Sequence, residues 1–401
     1  LGARIFSLNL IKEIEKQTEM KKKKIVIVGP AYPYRGGNAL FISHLYDQLI
    51  KHFDVTVLNY SLLYPSFLFP GTTQFDKSNN TLSSVKSERI VNSISPLSWF
   101  KTANRIKQVN PDLVVFDWWH PFFSFCHYSI SNILKKHFGK KILFITENVI
   151  SHESHFIDKI LTRLGLSNAS SFLALSKKVE EDLSGISHSR KVYRSELPVY
   201  DCYDIDESSK EREITHRFFQ ASDFVLLFFG YIRKYKGLDL LLEAMPLIAK
   251  SIPNAKLLVV GESYDDFSIY EKMVEEMGIR DSVKLENRFV ANEEVGNYYS
   301  QCDLVVLPYR SATQSGILNV AYGFLKPVLA TNVGGLAEFI DEEQTGIVVN
   351  PNSPEAIAEG VSRFFQLRNE TDFKKNIANK ISKNQFSDIA ELFSKIISEA
   401  T

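Results

Sequence analysis

Val225-Leu-Leu-Phe-Phe-Gly230-Tyr-Ile-Arg233-Lys-Tyr-Lys236-Gly237-Leu238-Asp-Leu-Leu-Leu-Glu-Ala244 decides the fold class. Its first residues are a continuous apolar run, as expected of a strand buried on both faces of a parallel sheet. The residues from Leu238 onward place Leu238, Leu241, Leu242, Met245 and Ala249 on one stripe, the period of an amphipathic helix. A short glycine-bounded basic loop joins the two, so the unit is strand, loop, helix.

The same unit recurs along the chain. Apolar runs at Ile25–Val28, Val55–Leu58, Leu113–Phe116, Ile142–Ile145 and Phe172–Leu175 fill the first half. Runs at Val225–Phe229, Leu257–Val260, Leu304–Leu307, Val328–Ala330 and Ile347–Val349 fill the second, with helical patterns between them. This alternation predicts α/β architecture with doubly wound parallel sheets. It breaks between about Leu197 and Asp223, an acidic-then-mixed stretch without strand period. The expected division is a 1–20 extension outside the fold, a first domain over 21–205, a second over 206–383 and a terminal helix over 384–401. Two such halves place a ligand cleft between them, at the carboxyl ends of the strands.

Composition narrows the function classes. With 47 Lys+Arg against 47 Asp+Glu the formal charge is zero, which excludes a strongly basic nucleic-acid binder. A 44% hydrophobic share is that of a globular chain and excludes bulk disorder. Cys126, Cys202 and Cys302 lie far apart, with neither a disulfide framework nor a zinc spacing, and point to a reducing compartment. Asp117, His120 and His127 interrupt the most apolar long window, so no membrane span is expected and the protein reads as cytoplasmic.

Three loops carry candidate chemistry. Gly29-Pro-Ala-Tyr-Pro-Tyr-Arg-Gly36-Gly37 follows the first strand and opens a helix, where backbone N–H groups can approach a phosphate. It is neither G-x-G-x-x-G nor a P-loop, and a plain strand-to-helix turn is the alternative. Arg233 and Lys236 sit at the equivalent place in the second half, either clamping a diphosphate or forming a solvated basic loop. Ser315-Gly316-Ile317 begins another helix, and Gly334-Gly335 closes the next strand.

These blocks resemble family 4 glycosyltransferases of the two-domain GT-B fold. The similarity rests on G-x-x-R-x-x-K-G-x-x-x-L-L-E-A at Gly230–Ala244, Gly261-Glu262, G-x-x-K-P-V-L-A-T-N-V-G-G-L-x-E at Gly323–Glu338 and Glu343-Gln-Thr-Gly346. The resemblance implies retaining sugar transfer from a nucleotide-diphosphate sugar, with no metal or other cofactor, and a terminal helix that crosses back onto the first domain. It implies that Arg233 and Lys236 are catalytic, stabilising the leaving diphosphate. It places Gly36, Gly37, Ser315, Gly316 and Ile317 at the donor diphosphate and sugar. A glycan or lipid-linked acceptor in polysaccharide or glycolipid synthesis follows from the same likeness, and nucleic acid does not.

Two departures stand out. Where the family carries two glutamates eight positions apart, the chain has Ala312 and Val320, or Thr313 at the first position after a one-residue shift. Valine has no acceptor for a ribose hydroxyl. Where the family often has a histidine near the sugar, the chain has Glu147, with His152 and Glu153 on the same loop. These three and His120 are candidate acceptor or sugar contacts; a helix cap is the other role open to His152. Trp118 and Trp119 either wall the cleft or pack in the core, with packing expected for one of them.

Lys135, Lys136, Lys140 and Lys141 around Ile133, Leu134 and Phe138 either touch anionic lipid at a membrane's inner face or form a solvated helix end. Against sugar transfer stand a non-catalytic GT-B partner subunit, favoured by Val320 and Glu147, and another nucleotide-sugar enzyme such as an epimerase.

Overall fold

The computed structural model describes residues 22–69, 71–79, 82, 85–149, 156–186, 189–203 and 218–400. In the first half the strands are β1 (Lys24–Val28), β2 (Asp54–Leu62), β3 (Ser87–Asn92), β4 (Leu113–Trp118), β5 (Ile142–Thr146), β6 (Ser171–Ala174) and β7 (Lys191–Arg194). The second half has β8 (Phe224–Phe229), β9 (Ala255–Val260), β10 (Val283–Glu286), β11 (Leu304–Leu307), β12 (Val328–Thr331) and β13 (Gly346–Val349). They form two parallel sheets, ordered β3-β2-β1-β4-β5-β6-β7 and β10-β9-β8-β11-β12-β13.

Apolar runs in the sequence mark ten of these strands, and the reason lies in burial. On β1, Val26 and Val28 enter the core on one face of the sheet, while Ile25 and Ile27 enter the core on the other. On β8, Leu226 and Phe228 face one way and Val225 and Leu227 the other. A strand covered on both sides must be apolar throughout. The three strands without such a run, β3, β7 and β10, all lie at sheet edges. There Ser87 and Glu88 are half-buried and Arg89, Lys191 and Lys284 are exposed, so no continuous apolar run forms.

Helices Gly37–Leu49, Pro96–Val109, Ser124–Phe138, Phe156–Gly165 and Lys177–Ile186 cover the first sheet. Helices Leu238–Ser251, Ser268–Glu276, Asn292–Ser300, Gly316–Gly323, Pro354–Leu367 and Phe373–Ile381 accompany the second. The last helix, Ile389–Ala400, lies against the first half: Ile389, Phe393, Ile396 and Ile397 pack with Ile25, Phe41 and Leu45. Trp118 is fully buried in the core, whereas Trp119 is half-buried and donates its indole N–H to the Tyr64 hydroxyl at 3.0 Å.

Candidate functional site

The carboxyl ends of the two sheets meet around a cavity of about 340 Å³. Gly36, Gly37, Lys236, Ser315, Gly316 and Ile317 all line it, although they come from three loops on two sheets.

From the first sheet, the helix Gly37–Leu49 points its N-terminus at the cavity. Gly36 caps it at φ 108°, a left-handed value that a side chain resists. No atom stands within 4 Å of where a Gly36 Cβ would be, so backbone conformation alone demands glycine and the space beyond is open. No side chain caps this helix and no acid lies in its first turn. Its N-terminus is therefore positive and available to an anion.

From the second sheet, the helix Gly316–Gly323 does the same. Ser315 is its N-cap without a side-chain capping bond, and its first turn also lacks an acid. The Ser315 hydroxyl stands 3.4 Å from that of Tyr309.

Between these helix ends lies the basic loop. Residues 234–236 form a single 3-10 turn, closed by Gly237 at φ 69°. A Cβ on Gly237 would lie 2.1 Å from the Pro308 carbonyl oxygen, so glycine lets the loop pack on the strand exit beside it. Arg310 braces the loop from below: its guanidinium donates to Lys234 O at 3.0 Å and to both Asp239 carboxylate oxygens at 2.8 Å. Lys236 is thereby held 7% exposed, its ammonium 5.7 Å from the Tyr309 ring centre. Burial, helped by the charge of Arg233, pulls its pKa down to about 7. Arg233 stands next to it but outside the cavity lining, its guanidinium 5.7 Å from the Tyr264 ring centre.

Side chains that the sequence reading left without a role complete the wall. Arg35, one residue before Gly36, pairs with Glu262 across the cleft and lies 4.8 Å from the Phe289 ring centre and 5.4 Å from that of Tyr231. The Thr72 N–H donates to the other Glu262 oxygen at 2.7 Å. Burial pushes the Glu262 carboxyl up, but the Thr72 and Arg35 bonds outweigh it and hold it below its usual range. Adjacency to Gly36 is the signal that could have singled out Arg35, and Glu262 already stood in the Gly261-Glu262 block.

The other expected residues are placed less directly. Val320 lines the cavity, while Ala312 is buried and accepts from the Gly335 N–H at 3.3 Å. Thr313 donates to the Asn148 side chain of the first sheet's loop. Glu147 is not among the residues that line the cavity and stands beside the Asn38 side chain. Burial pushes its carboxyl up to about 7, with Asn38 opposing. Asp117 is fully buried and also raised, by burial and then by Glu147. His120 turns back on its own chain, its Nδ1 accepting from the Phe122 N–H at 3.1 Å, and does not line the cavity. His152 and Glu153 lie outside the described residues. Among the described residues, no group of three His, Cys, Asp or Glu side chains is arranged to hold a metal.

Known proteins share this architecture. Residues 209–384 match the family model of glycosyl transferases group 1. An uncharacterized glycosyltransferase of Methanocaldococcus jannaschii is 32% identical over 167 residues, 42% of this chain and 41% of that protein. The alpha-D-kanosaminyltransferase of Streptomyces kanamyceticus is 24% identical over 210 residues, 52% of this chain and 54% of that one. The match thus spans about half the length of these relatives, or less.

Among solved structures, sucrose-phosphate synthase from Thermosynechococcus elongatus superposes with a TM-score of 0.70 at 16% identity, covering 94% of this chain and 100% of the other. Anabaena HepE in complex with UDP-glucose also gives 0.70 at 16% identity, covering 94% and 99%. The two-sheet architecture is the GT-B fold.

Proposed function

We propose that the protein transfers a sugar from a nucleotide-diphosphate sugar to a glycan or lipid-linked acceptor, with retention of configuration. One observation carries this reading. Two uncapped helix N-termini, from opposite sheets, converge with the buried Lys236 on a single cavity. Such a site favours an anion with charge on several oxygens, as a diphosphate has. The group 1 match over the second half and the UDP-glucose held by HepE support a nucleotide-sugar as that anion.

In the reaction the bond from the sugar anomeric carbon to the diphosphate oxygen breaks, and negative charge grows on the departing diphosphate. Lys236, with Arg233 beside it, stabilises that charge without a metal ion in this reading. The acceptor hydroxyl bonds to the anomeric carbon from the face the diphosphate leaves, and its proton passes to the diphosphate oxygen. No protein nucleophile is needed. The setting is synthesis of a cell-surface polysaccharide or glycolipid at the cytoplasmic side, peripheral to the membrane.

Val320 favours a second reading, a non-catalytic GT-B partner subunit, because it puts an alkyl group on the cavity wall where a carboxylate would hold ribose. Calorimetry with UDP-, GDP- and ADP-sugars, using Lys236→Ala as control, tests the enzyme reading. One donor should bind and the Lys236 change should weaken it; binding by none, or binding indifferent to Lys236, rejects sugar transfer. Donor binding without turnover on any acceptor supports the partner subunit.

A further inference from the structure

Among the described residues, most large apolar side chains left in solvent belong to one end of the first domain. Phe67 follows β2 and is 83% exposed; Leu97 and Phe100 follow β3 at 82% and 59%. Phe125 follows β4 at 58%, and Phe156 and Ile160 follow β5 at 78% and 52%. Since β2 to β5 belong to one parallel sheet, all these segments leave it at the carboxyl edge, which faces the cleft. The helices Pro96–Val109, Ser124–Phe138 and Phe156–Gly165 start at that edge and pack in this order. At 8–10 Å between neighbouring helix axes, the patch spans roughly 20 Å.

The helix Phe156–Gly165 shows what kind of surface this is. Its inner side is anchored through Thr162 and Gly165, both buried; a Cβ on Gly165 would lie 2.3 Å from the Trp118 ring. Its outer side carries Phe156, Ile160, Lys159 and Arg163, all exposed and, at 100° per residue, on one face. A helix on a water-facing surface turns polar residues outward, whereas this one turns apolar residues flanked by cations outward. Asp158 is half-buried. The helices Pro96–Val109 and Ser124–Phe138 have no acid in their first turns, and Lys101 is exposed beside Phe100.

We propose that this end of the first domain docks on an anionic phospholipid bilayer, its apolar side chains entering the boundary between head groups and acyl chains. The side chains stand out separately from four connections. A bilayer accommodates projections at any spacing, while a protein partner must match each one. Lys101, Lys159 and Arg163 complement anionic head groups. The Lys135, Lys136 and Lys140 cluster lies at the other end of the helix Ser124–Phe138, about 20 Å away at 1.5 Å per residue, and takes no part. Because the docking end borders the cleft, the acceptor it serves is lipid-linked. That last step rests on the sugar-transfer reading, whereas the docking itself does not.

Vesicle flotation tests the docking, with phosphatidylcholine alone and with phosphatidylglycerol added. The full chain should float with the anionic vesicles. The combined variant Leu97→Ser, Phe100→Ser, Phe156→Ser, Ile160→Ser should lose partitioning by at least about tenfold. Lys159→Glu with Arg163→Glu should abolish the preference for phosphatidylglycerol. Melting temperature and circular dichroism of both variants should match those of the unchanged protein, since every altered side chain is exposed. Failure of the unchanged protein to float, or equal flotation of the apolar variant, overturns the proposal. A dimer that the apolar variant dissolves, without flotation, assigns the patch to a second copy and also overturns it. Nucleotide-sugar calorimetry on the same samples reports separately: lost donor binding with intact flotation rejects sugar transfer alone.

Discussion

Arg35 and Glu262 form an ion pair across the cleft, joining loops of the two sheets with only 5% and 8% of their side chains exposed. Further contacts run alongside it. The Asn292 side chain donates to Asp76 at 2.9 Å, and the Asn292 N–H donates to Ser78 at 2.9 Å. At another point between the halves, Glu338 accepts from the Lys177 N–H at the start of the helix Lys177–Ile186, at 2.9 and 3.2 Å. Polar groups at the mouth of the site, and again at Glu338, therefore link the two halves, beside the apolar packing of the terminal helix on the first half.

Removing one partner of a buried pair leaves the other charge unpaired, at a cost of about 3 kcal/mol in a rigid protein. Here the halves can separate instead and let water reach Arg35. Glu262→Gln should lower the melting temperature and enlarge the radius of gyration in small-angle scattering. A variant as compact and as stable as the unchanged protein would show that the pair does not hold the halves together.

If the cavity takes a nucleotide-sugar as proposed, Lys236 couples that binding to protons. With its pKa near 7, it is largely neutral above that pH in the free protein, and an anionic donor should restore its charge. Binding at pH 8 should therefore take up a proton, visible as a calorimetric heat that varies with buffer ionisation enthalpy. Lys236→Ala should remove this uptake and weaken binding about 10–100-fold. Stability moves in the opposite sense. Between about 7 and the ordinary lysine value the unfolded chain holds a proton that the folded one lacks. The ligand-free protein should gain stability as pH rises through that window, and Lys236→Ala should lose the gain.

Glu147 has the contrary sign. Its raised carboxyl is protonated when folded and ionised when unfolded between its ordinary value and about 7, so its contribution to stability is lost as pH rises through that range. Glu147→Gln should flatten this part of the stability–pH curve and raise the melting temperature at pH 8. A curve unchanged by the substitution would place the titration elsewhere.

Val320 stands on the cavity wall, 5% exposed. Val320→Glu should tighten nucleotide binding by about tenfold through a bond from a ribose hydroxyl, measured by calorimetry with the matching nucleotide. Unchanged affinity would mean that the ribose does not reach the helix Gly316–Gly323.

Much of the fold was legible because a strand buried on both faces must be apolar throughout, as at Phe224–Phe229 and Leu113–Phe116. The edge strands Ser87–Asn92, Lys191–Arg194 and Val283–Glu286 were not, since one side of each meets solvent or loop. The glycines of the site were legible as punctuation between strand and helix, and Lys236 through its place in the loop after a buried strand and the family resemblance of the block from Gly230 to Ala244. Arg35 was hidden because its partner lies 227 positions away, a separation that no local pattern encodes. The sequence likewise could not tell that His120 folds back on the Phe122 N–H while Val320 reaches the cavity.

By itself, then, the chain's periodicity determined two parallel α/β sheets with glycine-bearing loops at their carboxyl ends, because burial and backbone geometry act over a few neighbouring residues. Only the tertiary structure decided that two uncapped helix ends and one desolvated lysine share a single cavity. It also decided that Arg35 closes on Glu262, and that apolar side chains from four separate connections gather at one rim. Those relationships depend on distances between residues remote in the chain, and the packing of the two sheets sets them.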